Sequence, residues 1–147
     1  MTAAMLPPTR RFAAVEVGEE LPELVIEVTT KLVIAGAMAS RDFQDVHHDR
    51  DLALERGAPD IFMNILSTNG LVGRYVTDWS GPEAVIRRVA IRLGVPNYPG
   101  DVMRVTGRVV GKSAEGHAGL VDIEVRGANS LGDHVTGTVT IALAGKG

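Results

Sequence analysis

Apolar and polar residues alternate with period two through much of the chain after Val85, and such alternation marks strands that bury one face and expose the other. In the first of these strands Val85, Val89, Ile91 and Leu93 face one way, with Ile86, Arg88, Ala90 and Arg92 opposite. Gly94-Val95-Pro96 and Pro99-Gly100 then supply a turn. Met103, Val105 and Val109 alternate with Arg104, Thr106 and Arg108 in a second strand. After a glycine-containing turn from Gly111 to Gly119, Val121, Ile123 and Val125 alternate with Asp122, Glu124 and Arg126. The last strand runs from Val135 to Leu143, so the four predict a β-meander.

Upstream the pattern changes. Leu24 to Thr29 is rich in β-branched residues and predicts a strand whose start Pro22 marks. The small residues Ala35, Gly36, Ala37, Met38 and Ala39 predict a short, tightly packed helix from Val33 to Ser40. Phe43 to Gly57 is polar enough for a loop with one helical turn. Phe62, Ile65, Leu66, Val72, Val76 and Trp79 then recur near helical spacing and predict one long helix from Asp60 or Ile61 to Asp78, with Asp60 as its N-cap. Asn64, Ser67, Thr68, Asn69, Gly70 and Gly73 would let other backbone approach this helix closely. Asn69-Gly70 would signal a hairpin turn elsewhere, so a break at that point stays open. A strand, a short helix, a long apolar helix and a meander describe an α+β fold in which an antiparallel sheet wraps a central helix, although another α+β sandwich satisfies the same pattern.

At 147 residues the chain fits one domain, assigned to 21–147, while residues 1–20, with Pro7-Pro8 and two arginines after a short apolar stretch, read as a flexible leader. Cysteine is absent, which removes disulfides and thiolate chemistry and suits a cytoplasmic location. A net charge of −3 without a basic tract argues against nucleic-acid binding. Every candidate membrane span is broken by Gly, Pro or charge, short of the roughly 20 apolar residues required.

Ionisable side chains are densest from Arg41 to Asp49. Asp42 and His47 lie five positions apart, and a carboxylate and an imidazole on one loop can converge on a water, one taking its proton while the other donates to substrate. Residue types and spacing alone are equally consistent with a surface loop in which Asp42 caps a helix. Zinc is not expected at His47, His48 and Asp49, because adjacent residues rarely chelate one ion together. His48 is assigned a solvent-facing or structural role, and Asp133-His134 a turn outside the site.

The run Asp42-Phe43-Gln44-Asp45-Val46-His47-His48-Asp49 resembles the hydratase motif of MaoC-like proteins, Asp-x-Asn-Pro-(Ile/Leu)-His-x-Asp. Asp42, Val46, His47 and Asp49 match, while Gln44 and Asp45 stand in place of Asn and Pro. The resemblance implies a hot-dog fold and (R)-specific hydration of a 2-enoyl-CoA, with Asp42 and His47 as the catalytic pair and no metal or redox cofactor. Coenzyme A would be carried by the substrate, its phosphates meeting Arg87, Arg88, Arg92 or Arg104. The family commonly opens its long helix with His-Gly-Met; here the segment is Ile61-Phe62-Met63-Asn64, so backbone N–H groups of Met63 or Asn64 are the expected oxyanion donors. Gln44, Phe62 and Ser67 are the expected substrate contacts. Asp60 to Leu66, Val76 to Trp79 and Leu131 to Gly137 look like the small MaoC-like subunits of actinobacterial steroid side-chain degradation, which implies either a homodimer or a heteromer with a larger MaoC-like subunit. Three functional classes follow: a hydratase, an acyl-CoA thioesterase that releases free thiol, and a non-catalytic acyl-CoA-binding subunit.

Overall fold

The computed structural model describes residues 6–145. Its elements in chain order are β1 (Glu20–Glu27), α1 (Thr30–Ala39), α2 (Arg50–Glu55), α3 (Ile65–Ser80), β2 (Val85–Leu93), β3 (Val102–Glu115), β4 (Ala118–Asn129) and β5 (Gly132–Leu143). All strand pairs are antiparallel, and the five form one sheet in the order β1-β3-β4-β5-β2. The long helix α3 buries Thr68, Val72, Tyr75 and Val76 and touches β1, β2, β5 and α1. Val72, Tyr75 and Val76 join Met103, Val105, Ile123 and Val139 in a single core, the hot-dog arrangement of a sheet around a helix.

Strand alternation is clearest in β4, where Val121, Ile123 and Val125 are buried between more exposed neighbours. In β2 a register shift between Ile86 and Arg88 inserts one residue opposite β5. An extra residue reverses the parity of the strand. Ile86, predicted to face away from Val89 and Ile91, therefore turns to the α3 side, where its Cδ1 lies 3.6 Å from the position of a Cβ on Gly73 while the residue stays 39% exposed. The first strand also starts earlier than Pro22 suggests. It runs through that proline with a register shift between Leu21 and Leu24, which an edge strand tolerates because no inward ladder bond is lost.

Helix starts differ most from expectation. Thr29 caps α1 by accepting from Leu32 N–H, so the helix starts at Thr30, three residues ahead of the predicted range. The polar stretch after Phe43 holds a 3-10 turn at Asp45–His47 as well as α2, whose cap is Asp49. Asp60 does not cap α3. It is held by Arg50 at 2.7 Å, and the chain continues without helix to Asn64, which is the true cap. α3 runs unbroken past Asn69-Gly70, and nothing lies within 4 Å of a Cβ placed at Gly70. Close helix approach comes instead from Gly36 of α1, where any side chain would collide with Ser67.

Where residues 1–20 are described, they do not behave as a loose leader. Val15 is fully buried, Arg10 N–H donates to Ser80 O at 2.8 Å, and Lys112 Nζ donates to Val15 O at 2.6 Å. Arg10 also stacks over Trp79, 4.5 Å from the ring centre. The segment holds a 3-10 turn at Phe12–Ala14 and packs on the domain from Thr9 onward. No helix among the described residues is long and apolar enough to cross a membrane.

Candidate active site

α1 ends in a way that delivers Asp42 to the site. Ser40 is the C-cap, Arg41 N–H donates to Met38 O at 3.1 Å, and Asp42 N–H donates to Ala37 O at 3.0 Å. This is a Schellman ending, with Arg41 in the left-handed region at φ 59°, a conformation usually left to glycine. The 3-10 turn Asp45–His47 then swings His47 back over the loop, fixed in part by His48 N–H to Asp45 O.

Asp42 and His47 meet: His47 Nε2 lies 3.4 Å from Asp42 Oδ2, with the His47 side chain 8% exposed and that of Asp42 20% exposed. His47 Nδ1 lies 2.7 Å from Phe62 O. A carbonyl can only accept, so Nδ1 carries the ring proton and Nε2 of the neutral ring is a proton acceptor. The Phe62 ring packs edge-on against the imidazole, centroids 5.0 Å apart, and Phe62 N–H is tied to Val46 O at 3.1 Å. Phe62 therefore orients His47, a role that its expected place against substrate did not capture.

Asn64 supplies the other half of the frame. Its Nδ2 donates to Asp42 Oδ2 at 3.1 Å and to Ser40 Oγ at 2.9 Å, while its Oδ1 accepts from Ser67 N–H at 3.0 Å. The Asn64 amide beside Asp42 holds that carboxyl below the usual carboxylate range; burial opposes this, and Gln44 N–H and the nearby His47 add to it. Asp42 is thus ionised at neutral pH, and two acceptors, Asp42 Oδ2 and His47 Nε2, face one point. A water there can donate both its hydrogens and present a lone pair outward.

Not every expected residue converges. Met63 N–H is spent on Asn97 O at 3.0 Å, so it is not an oxyanion donor. Asn64 N–H has no acceptor among the described residues and stands at the positive end of α3. Gln44 gives its N–H to Asp42 Oδ1 at 3.4 Å, but the residue is exposed to solvent. Ser67 gives its N–H to the Asn64 cap, and its hydroxyl, turned toward Gly36, is buried without a partner among the described residues. It lines an apolar groove of about 340 Å³ between α1 and α3, together with Leu32, Gly36, Ala39, Ser40 and Leu66. Larger hollows of about 490 and 460 Å³ lie along β1, β3 and β4 between charged side chains such as Glu23 and Arg126.

His48 is structural, its Nε2 lying 3.1 Å from Phe43 O, and Asp49 is the α2 cap. His134 is buried inside β5 rather than in a turn. Of the arginines considered for phosphate, Arg104 is paired with Glu23 at 2.7 Å, and Arg87, Arg88 and Arg92 stand exposed on β2. Among the described residues no group of three or more His, Asp or Glu side chains converges as a metal site. The signal that would have found Asn64 is present in the sequence: an Asn three residues before Ser67, directly ahead of an apolar periodic run, is an N-cap pattern.

An aspartate and a histidine set against the start of the central helix of a hot-dog fold define the class, and the chain belongs to the MaoC-like hydratase family. Within it, the chain is 49% identical over 127 residues to a Mycobacterium tuberculosis protein described as the 3-oxo-4,17-pregnadiene-20-carboxyl-CoA hydratase beta subunit, covering 86% of this chain and 95% of that protein. It is also 48% identical to a chain in the crystal structure of the ChsH1–ChsH2 complex of the same organism, with a TM-score of 0.81, covering 87% of this chain and 98% of that one. The R-hydratase PhaJ1 of Pseudomonas aeruginosa, 22% identical with a TM-score of 0.81 over 92% of this chain and 86% of that one, shares the fold. No family model matches the chain.

Proposed function

We propose that this chain hydrates the 2,3 double bond of a 2-enoyl-CoA, with Asp42 and His47 activating the water. The observation that carries the reading is the pair itself: His47 Nε2 faces Asp42 Oδ2 at 3.4 Å while Phe62 O claims Nδ1–H. A water bridging the two acceptors attacks C3, one of its protons passes to the pair, and a proton is delivered from the pair to C2. Charge that builds on the thioester oxygen is met by Asn64 N–H and the α3 dipole, where one preorganised donor typically contributes roughly 3–4 kcal/mol. The addition needs neither a redox cofactor nor a metal, since water supplies both added groups; coenzyme A enters as part of the substrate.

The named relatives support a bulky steroid side-chain thioester as substrate and a heteromer with a larger MaoC-like subunit as the working form. β2 supports the same assembly from the structure. It is an edge strand of the sheet, with Val85, Ile86 and Leu93 exposed, and an apolar edge of that kind is a liability until another strand covers it.

The test follows loss of the conjugated enoyl-thioester absorbance with a short-chain and a steroid-like 2-enoyl-CoA, using the chain alone and co-purified with a larger MaoC-like subunit. Asp42→Asn and His47→Ala are expected to lower kcat by about 10²–10⁴-fold, the usual worth of an acid–base group. Unchanged turnover in both variants would assign the chemistry elsewhere and leave this chain a binding subunit. Release of free thiol in place of hydration would make it a thioesterase.

A further inference from the structure

We propose that Asn64 is a positioning residue of this site: its carboxamide, by donating to Asp42 and Ser40 while capping α3, fixes the Asp42 carboxylate against His47. The inference rests on the hydration reading above. Asn64 is 2% exposed, and its side chain makes three hydrogen bonds, using both N–H groups and the oxygen. Oδ1 holds Ser67 N–H; one Nδ2 hydrogen reaches Ser40 Oγ; the other reaches Asp42 Oδ2, the same oxygen that faces His47 Nε2.

Ser40 cannot substitute for this contact. Its hydroxyl donates back to Gly36 O at 2.7 Å, so it is left to accept from Asn64 and has no proton for Asp42. A single buried amide thereby ties the end of α1, the loop aspartate and the first turn of α3 together. The arrangement also accounts for an asparagine in the segment where the resembling family commonly has His-Gly-Met: Asn preserves the backbone N–H at the helix start and adds a side-chain donor to the carboxylate. Because the donor stabilises the charged form, removing it makes Asp42 both less well oriented and easier to protonate.

Two variants test this in the full chain, assembled with its larger subunit where turnover is measured. Asn64→Ser keeps a good N-cap but its shorter side chain cannot reach Asp42. It is expected to lower kcat on the order of tenfold with little change in KM, and to move the acid limb of the pH–rate profile to higher pH, an effect smaller than loss of the pair itself. Asn64→Asp keeps the size and the cap and sets a second carboxylate against the first; it is expected to raise the Asp42 titration midpoint, read by carboxyl carbon NMR, further than Asn64→Ser does. An unchanged kcat, pH profile and Asp42 titration in these variants would overturn the role. If Asp42→Asn keeps full turnover, the hydration reading fails on its own, and the Asp42 titration in the two Asn64 variants still decides whether Asn64 governs that carboxylate.

Discussion

His47 and His134 are both buried and both spend Nδ1–H on a backbone carbonyl at 2.7 Å, Phe62 O for one and Val95 O for the other. What differs is the second nitrogen. His134 Nε2 meets Thr68 Oγ1 at 2.8 Å, and since Nδ1 must donate, Thr68 donates to it. That ring is satisfied at both ends and joins α3 to β5. His47 Nε2 instead faces a carboxylate oxygen at 3.4 Å, an acceptor opposite an acceptor. With the ring neutral, both atoms keep lone pairs for a donor such as water beside them, whereas the Thr68–His134 pair already holds its hydrogen between its two atoms. The same residue and the same orienting bond thus yield a structural tie on the strand and, on the loop, the nitrogen for which we propose a reactive role.

Exchanging the roles gives the sharpest contrast. His47→Ala is expected to act mainly on turnover, by the factor of about 10²–10⁴ given above. His134→Ala is expected to act mainly on stability, because it opens a cavity, removes the partner of the Val95 carbonyl and leaves the Thr68 hydroxyl only the longer bond to Asn64 O. A loss of about 2–4 kcal/mol follows, measured as a shift in denaturant midpoint, with turnover of the folded variant far less affected than in His47→Ala. If the two losses were to swap, the distinction drawn from the Nε2 partners would be wrong.

pH separates the two histidines more gently. Burial pushes the His134 imidazole below its ordinary 6.5, against a smaller opposing effect of the bond to Val95 O. The unfolded chain therefore binds a proton at His134 more readily than the folded one. Its contribution to stability is fully present above 6.5 and is lost as pH falls below that value, until the folded state also protonates. Denaturant midpoints taken between about pH 8 and pH 5 should fall in the wild type, and the slope should flatten in His134→Ala. An identical slope in both would show that other groups carry the acid sensitivity.

How far the sequence reaches is uneven for a physical reason. Strands of the meander bury one face each, so Val121, Ile123 and Val125 announce their orientation, and the Asp42–His47 pairing follows from the motif register. Ile86 does not, because a bulge is a pairing event with β5 that leaves no local mark. The start of α3 is hidden in the same way. Asp60 and Asn64 are both good caps, and the choice is made by distant partners: Arg50 holds Asp60, while Val46 O and Asn97 O draw the Phe62 and Met63 N–H groups away from helical bonding. Moving the cap from Asp60 to Asn64 adds to the Asn64 backbone N–H a side chain that holds Asp42, so the helix boundary decides part of the site.

The smallest expected effect lies just before Asp42 in the chain. Arg41 holds φ 59° in the Schellman ending of α1, and its side chain is exposed. A non-glycine residue in this region is strained, and glycine relieves the strain while adding freedom to the unfolded chain, so the two effects partly offset. Arg41→Gly is expected to raise stability by about 0.5–1 kcal/mol, seen as a higher melting temperature, with Asp42 N–H still bound to Ala37 O and kcat unchanged within error. Arg41→Val sharpens the comparison in the other direction, since a β-branched residue tolerates this backbone least. If the valine variant lost turnover in proportion to its stability, the helix ending would be shown to place Asp42 as firmly as Asn64 does from the other side; if it lost stability alone, the carboxamide would hold the carboxylate even when the backbone beneath it is disturbed.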